Sequence, residues 1–133
     1  MRPPGDGHIS FVARGGSMHP LIPDGTPVLV APLRGRRPRT GDIVLFQGAG
    51  GLVLHRVVAL RGDMVTTRGD ACPASDPPVR VDALLGRAVL AIRRGRALPL
   101  DGPGLRLLGL GLSRLLALLR GLRGAVSGPS RCG

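Results

Sequence analysis

The sequence predicts a mainly β fold, a small antiparallel β-barrel or sandwich, followed by one C-terminal amphipathic helix. Up to about residue 98, short runs rich in Val, Ile and Leu alternate with Gly, Pro and Asp turns, which is the pattern of an antiparallel β protein. No helix of useful length fits before residue 100. Beyond it the composition changes to leucine and arginine at helical spacing. The length of 133 residues suits one domain with a modest core.

The β-rich part contains a series of strand candidates separated by turn residues. In chain order they are Ile9–Ala13, Val28–Ala31, Asp42–Gln47, Leu52–Leu60, Met64–Thr67 and Arg87–Ile92. The glycine-rich Gly48–Gly51 would join the third candidate to the fourth as a hairpin. Arg61-Gly62-Asp63 would form a second tight turn. Residues 8–98 are therefore the predicted β domain, after an N-terminal tail of residues 1–7.

The C-terminal third divides into a linker at residues 99–104, a helix at residues 105–126 and a tail at residues 127–133. On a helical wheel the arginines of this helix fall within one half and leucines fill the other. Glycines within the segment weaken the helix. Two roles stay open: packing on the β domain or on a second copy of the chain, and lying on an anionic membrane surface.

The chain carries a net charge of +11, and all its basic residues are arginine and all its acidic residues aspartate. The arginines are mostly scattered, and neither Tyr nor Trp is present for base stacking, so binding to nucleic acid is disfavoured. Two cysteines, Cys72 and Cys132, are too few for a disulfide framework, and the sequence does not indicate whether they are bridged. No secretory signal or clear transmembrane span is visible, so a membrane-associated or cytoplasmic location is expected.

The stretch GGSMHPLIPDG, from Gly15 to Gly25, places a serine between two glycines and a proline. It is either a turn that closes a strand or a loop that presents Ser17 for reaction. His55 lies within the apolar strand LVLHRVVAL, where a lone histidine is usually a core residue. Asp70 and Asp76 follow the next strand in the loop TRGDACPASD, where an Asx-turn is the simpler explanation. Together, Ser17, His55 and Asp76 are the ingredients of a nucleophile, a base and an orienting carboxylate.

Five segments in order resemble the type I signal peptidases. They are SMHP at 17–20, which is similar to the Ser-Met-X-Pro motif, then TGDIVLF at 40–46, HRVV at 55–58, TRGDACPASD at 67–76 and GRAV at 86–89. Because the chain has no lysine and has histidine at the matching place, it resembles the members that use a histidine base. The resemblance implies the signal peptidase/LexA type of fold over residues 9–92, and no metal or cofactor.

The resemblance implies a role for each matching residue. Ser17 would be the nucleophile, His55 the general base, and Asp76 the carboxylate that orients the histidine. Asp70 would structure the loop. Neutral histidine is available at pH 7 because its ordinary pKa is near 6.5.

The turn around Ser17 would bind substrate and the oxyanion through Gly15, Gly16, Met18 and Pro20, with the Ser17 N–H as a donor. Three features depart from the family pattern. Gly15 stands where members often carry a hydroxyl, Asp24-Gly25 reverses the usual order, and an N-terminal membrane anchor is not visible.

The sequence thus predicts a serine endopeptidase that cleaves signal or leader peptides after small residues. Its partner would be a peptide or preprotein, and an anionic membrane surface is a second candidate partner through the C-terminal helix. A LexA-like self-cleaving regulator is an alternative that the missing lysine disfavours. A non-catalytic β-domain that binds peptides or membranes is the other.

Overall fold

The computed structural model describes residues 7–100, which form one antiparallel sheet of eight strands. In chain order the strands are β1 (Ile9–Val12), β2 (Pro27–Ala31), β3 (Ile43–Gly48), β4 (Gly51–Arg61), β5 (Met64–Arg68), β6 (Val79–Arg80), β7 (Leu84–Arg93) and β8 (Arg96–Pro99). The sheet order is β1-β2-β7-β3-β4-β5-β6, with β8 also paired to β7. The predicted mainly β, antiparallel class is confirmed. The helix predicted for residues 105–126 lies outside the described residues.

Two tight hairpins connect β3, β4 and β5 as the sequence predicts. In the first, Gly48 pairs with Gly51, which leaves a two-residue turn. In the second, Arg61 pairs with Met64 across Gly62 and Asp63. Gly62 has a φ of 54°, a backbone conformation that glycine adopts without strain. These hairpins fix the register of β4, the strand that carries His55.

The sheet has a hydrophobic cluster on each face, and β3 contributes to both. Ile43 and Leu45 belong to one cluster, while Val44 and Phe46 belong to the other. Alternate residues of a strand point to opposite faces, so a strand covered on both sides reads as a continuous apolar run. Val57 and Val65 complete the second cluster from β4 and β5, whereas the first extends to the turn that follows β1.

Two short strands and part of a third were not predicted. β7 begins at Leu84 rather than at Arg87 and continues through Gly86, where an added Cβ would stand 2.5 Å from the carbonyl oxygen of Ala31. A glycine in a strand commonly marks such a close approach of another backbone. β6 has only two residues, and β8 includes a proline at an end that the sequence assigns to the linker.

Helical structure is minimal among residues 7–100. It consists of a three-residue 3-10 turn at Val81–Ala83. Within residues 7–100, no helix has the length and hydropathy needed to span a membrane. Cys72 is fully buried.

Candidate active site

The Ser17 turn is a firmly attached loop between β1 and β2. At its base, the Gly25 N–H donates to the carbonyl of Ala13 over 2.7 Å, and the Gly15 N–H donates to a carboxylate oxygen of Asp24 over 2.8 Å. Met18 and Ile22 are buried in the first hydrophobic cluster. These two buried side chains lie on either side of an exposed tip and attach the turn to the core, and Ser17 itself is half-buried.

Two hydrogen bonds join the Ser17 turn to the loop after β5. The Ala71 N–H donates to the carbonyl oxygen of Ser17 over 2.8 Å. The Asp70 N–H points to the sulfur of Met18 at 3.5 Å. The serine is therefore fixed relative to the loop that also carries the two candidate aspartates.

His55 is fully buried on β4 and pairs with Asp76. Its Nδ1 lies 2.5 Å from Oδ2 of Asp76. Because an ionised carboxylate only accepts hydrogen bonds, this pairing places a proton on Nδ1, and in the neutral imidazole the lone pair is then on Nε2. The ring of Phe46 meets the imidazole edge to face, with centroids 6.3 Å apart. The pair thus holds the histidine in one tautomer and one orientation.

The Nε2 atom of His55 is buried and has no hydrogen-bond partner within residues 7–100. A hydrogen bond to the Ser17 hydroxyl is therefore not formed in this structure. An added Cβ at Gly69 would lie 3.0 Å from Nε2 and 2.7 Å from the carbonyl oxygen of Ser17. His55 Nε2 and the Ser17 carbonyl oxygen therefore both lie beside the position that a Cβ of residue 69 would occupy. Because residue 69 is glycine, the space between these two atoms is open.

Asp70 pairs with Arg56 instead of His55. The Arg56 Nε donates to Oδ1 of Asp70 and Nη2 donates to Oδ2, each over 2.8 Å. Its Nη1 donates to the carbonyl of Gly41, also over 2.8 Å. Both charged side chains are buried, at 1% and 0% exposure. This ion pair ties the Gly41 turn, β4 and the loop after β5 together.

A cleft of about 260 Å³ opens beside Ser17. Its walls come from the end of β1, from the turn that follows β1 and from the start of β4, and they are mostly apolar. The lining residues are Phe11, Ala13, Arg14, Gly15, Ser17, Met18, Ile22, Leu52, Val53 and Leu54. β5 pairs with β4 only from Arg56 onward, so Gly51–His55 has sheet partners on the β3 side alone among the described strands. The cleft therefore borders a stretch of β4 that no described strand pairs with on its second side.

The residues predicted for the site fall into three groups. His55 and Asp76 meet directly, and Ser17 lies across Gly69 from the imidazole. Met18 and Gly15 line the cleft, whereas Gly16 and Pro20 are exposed and are not among the lining residues. Sequence reasoning gave no role to three neighbours of the pair: Arg56, Thr67 and Gly69. The only signal for them is their place in two of the segments that carry the resemblance, HRVV at 55–58 and TRGDACPASD at 67–76.

The fold and the site together define a small antiparallel β protein with a buried histidine–aspartate pair beside a serine-bearing turn. Residues 8–97 match the family model described as "Signal peptidase, peptidase S26". The chain belongs to this family, and at that level it is a signal peptidase-like peptidase. No curated protein matches it closely enough to count as a relative.

Proposed function

We propose that this protein is a serine endopeptidase that cleaves signal or leader peptides after small residues. Ser17 acts as the nucleophile, His55 as the general base, and Asp76 as the residue that orients the base. The family supports a peptidase, and the His55–Asp76 pair beside the turn that carries Ser17 supports this particular mechanism.

The observation that carries the proposal is the buried Nε2 atom without a partner. Buried polar side-chain atoms are almost always hydrogen-bonded, and leaving one unpaired costs about 1–3 kcal/mol. His55 keeps one nitrogen on a carboxylate and the other unpaired, near the serine turn. A structural histidine gains nothing from this arrangement, whereas a general base needs a free lone pair.

The chemistry follows from the two nitrogens. Nε2 removes the proton from the Ser17 hydroxyl as its oxygen attacks the scissile carbonyl, and it gives that proton to the leaving amine as the C–N bond breaks, which leaves the acyl group on Ser17. Water then attacks this ester with Nε2 as its base, and the proton returns to the Ser17 oxygen as the new carboxyl terminus leaves. The Nδ1–H bond to Asp76 stabilises the imidazolium that forms in between. The backbone N–H of Ser17 donates to the oxyanion. Since Gly15 has no hydroxyl and its N–H is bound to Asp24, we expect slow turnover: one missing oxyanion donor costs about 10²–10³ in rate.

The cleft supports a substrate in extended conformation. A peptide strand laid along Gly51–Leu54 would place alternate side chains in the apolar space near Met18. The limited volume favours small side chains at positions −1 and −3 relative to the cut. Binding of residues 105–126 to an anionic membrane stays a prediction that would bring the enzyme to a membrane-inserted leader.

The test is cleavage of a leader peptide with Ala at −1 and −3, followed by mass spectrometry. We expect both Ser17→Ala and His55→Ala to reduce cleavage by at least about 10⁴-fold, because nucleophile and base act as a unit. Activity should also fall as the pH is lowered, since a protonated imidazole cannot accept the serine proton. The exposed His19 supplies the matched control, and His19→Ala should leave the rate within about twofold.

Two results would exclude the proposal. Ser17→Ala cleaving at the wild-type rate would refute the serine mechanism. A folded wild-type protein that binds such peptides but never cleaves them would instead identify a non-catalytic binding domain.

A further inference from the structure

We propose that Thr67 is a positioning residue for the catalytic pair, acting through Asp76. This inference rests on the proposed function, because it assigns Thr67 to the same Ser17–His55–Asp76 machinery. The chain's own hydrogen bonds supply the argument.

The hydroxyl of Thr67 and the imidazole of His55 converge on one oxygen atom. Thr67 Oγ1 donates to Oδ2 of Asp76 over 2.8 Å, and Nδ1 of His55 lies 2.5 Å from the same Oδ2. In addition, the Asp76 N–H donates to the carbonyl of Thr67 over 2.7 Å. Thr67 therefore holds both the backbone and the carboxylate of Asp76.

The two residues differ in how firmly the fold holds them. Thr67 is fully buried on β5 and stands opposite Val57 of β4, two residues along from His55. Asp76 lies outside regular secondary structure, and its side chain is 18% exposed. A carboxylate on a loop can turn about its terminal torsion, which is broad. The Thr67 hydroxyl bonds one oxygen, so the oxygen that faces the imidazole is fixed.

The consequence reaches the reactive nitrogen. The direction of the Nδ1–H bond sets the orientation of the ring, and the ring orientation sets where Nε2 points. Hydrogen bonds to charged groups are stronger than neutral ones. Loss of the hydrogen bond from Thr67 to Asp76 should therefore make the orientation of the imidazole, and so the position of Nε2, less well defined. The substrate cleft should stay intact, since Thr67 does not line it.

The chain contains a matched control one residue away. Thr66 lies on the same strand with its side chain on the opposite face, and it is half-buried. Thr→Val removes a hydroxyl at nearly constant shape, so the same substitution at the two positions separates the effect of the hydrogen bond from that of the strand.

The experiment compares Thr67→Val, Thr67→Ser and Thr66→Val in the full chain, using leader-peptide kinetics. We expect kcat to fall about tenfold or more in Thr67→Val with KM within about twofold, as one charge-assisted hydrogen bond is lost. Thr67→Ser keeps a hydroxyl and should recover most of kcat, and Thr66→Val should match the wild type. If Thr67→Val does not fold, Thr67→Ala against Thr67→Ser provides the same comparison.

A second readout separates this inference from the proposed function. The proton on Nδ1 of His55, hydrogen-bonded to Asp76, should give a low-field NMR signal that needs no turnover. This signal should shift or broaden in Thr67→Val only. A wild-type kcat in Thr67→Val, or an unchanged Nδ1 proton signal, would overturn the role of Thr67. Absence of cleavage by the wild type would refute the proposed function. The NMR comparison would still show whether Thr67 positions the Asp76 carboxylate against His55.

Discussion

His55 and Arg56 are neighbours on β4, and each pairs with an aspartate from the same loop. The two pairs differ in how many of their nitrogen atoms are hydrogen-bonded. Arg56 has its Nε, Nη1 and Nη2 all bonded, two to Asp70 and one to a backbone carbonyl. His55 has one nitrogen bonded to Asp76 and the other buried without a partner among the described residues. A buried charge pair with complete hydrogen bonding serves to hold parts of the fold together. A buried pair with one unpaired atom is what the proposed general base requires, since that atom can still accept a proton.

The pairs also differ in their exposure. Asp70 is fully buried, whereas the side chain of Asp76 retains 18% exposure beside the loop surface. A buried ion pair stabilises a protein little relative to apolar residues, but removing one partner leaves an uncompensated charge. We therefore expect damage to the Arg56–Asp70 pair to appear in folding, and damage to the His55–Asp76 pair to appear in catalysis.

The largest effect on folding should come from Arg56→Met. It leaves the Asp70 carboxylate buried without its cation, and we expect the free energy of unfolding to fall by about 3–5 kcal/mol. Urea denaturation of the purified variant measures it. Arg61→Met, at the exposed end of the same strand, should stay within about 0.5 kcal/mol of the wild type. Equal stability of the two variants would mean that the Arg56–Asp70 pair does not hold the fold together.

Gly69→Ala should produce a smaller effect on stability, at the point between the Ser17 carbonyl and the imidazole of His55. The new methyl group would stand 2.6 Å from the Cys72 sulfur and 2.7 Å from the Ser17 carbonyl oxygen, so the serine turn or the imidazole must move. Overpacking of this kind costs about 1–3 kcal/mol, and displacement of about 1 Å near the chemistry costs on the order of 10²-fold in rate.

Gly50→Ala is the control for that substitution. An added Cβ there meets nothing within 4 Å, so stability and leader-peptide cleavage should both match the wild type. Full activity in Gly69→Ala would show that the space between Ser17 and His55 is not needed.

Much of the fold could be predicted because its signals are local. The strand cores of β2 to β5 and both tight hairpins follow from apolar runs ended by glycine and aspartate. The two-residue β6 and the Pro-containing β8 could not be predicted, because pairing with a neighbour rather than their own composition makes them strands.

For the candidate site, the sequence points to a set of residues but not to the contacts between them. The motif order points to Ser17, His55 and Asp76, while nothing local reveals that Arg56 takes Asp70 or that Thr67 bonds Asp76. Those partners are fixed by the register between β4 and β5, where Val57 stands opposite Thr67, and by the path of the loop that follows. Register and loop path are properties of the whole fold.

The most direct test of the division between the two pairs is one substitution made twice, Asp76→Asn and Asp70→Asn, with kcat and thermal unfolding measured for both. We predict that Asp76→Asn lowers kcat by about 10²–10⁴-fold, because the amide no longer holds the imidazole in the right tautomer, and shifts Tm by only a few degrees. Asp70→Asn should lower Tm by more than about 10 °C, with kcat of the folded enzyme within about tenfold. The reverse pattern, with Asp70→Asn inactive but stable and Asp76→Asn active but unstable, would contradict this account.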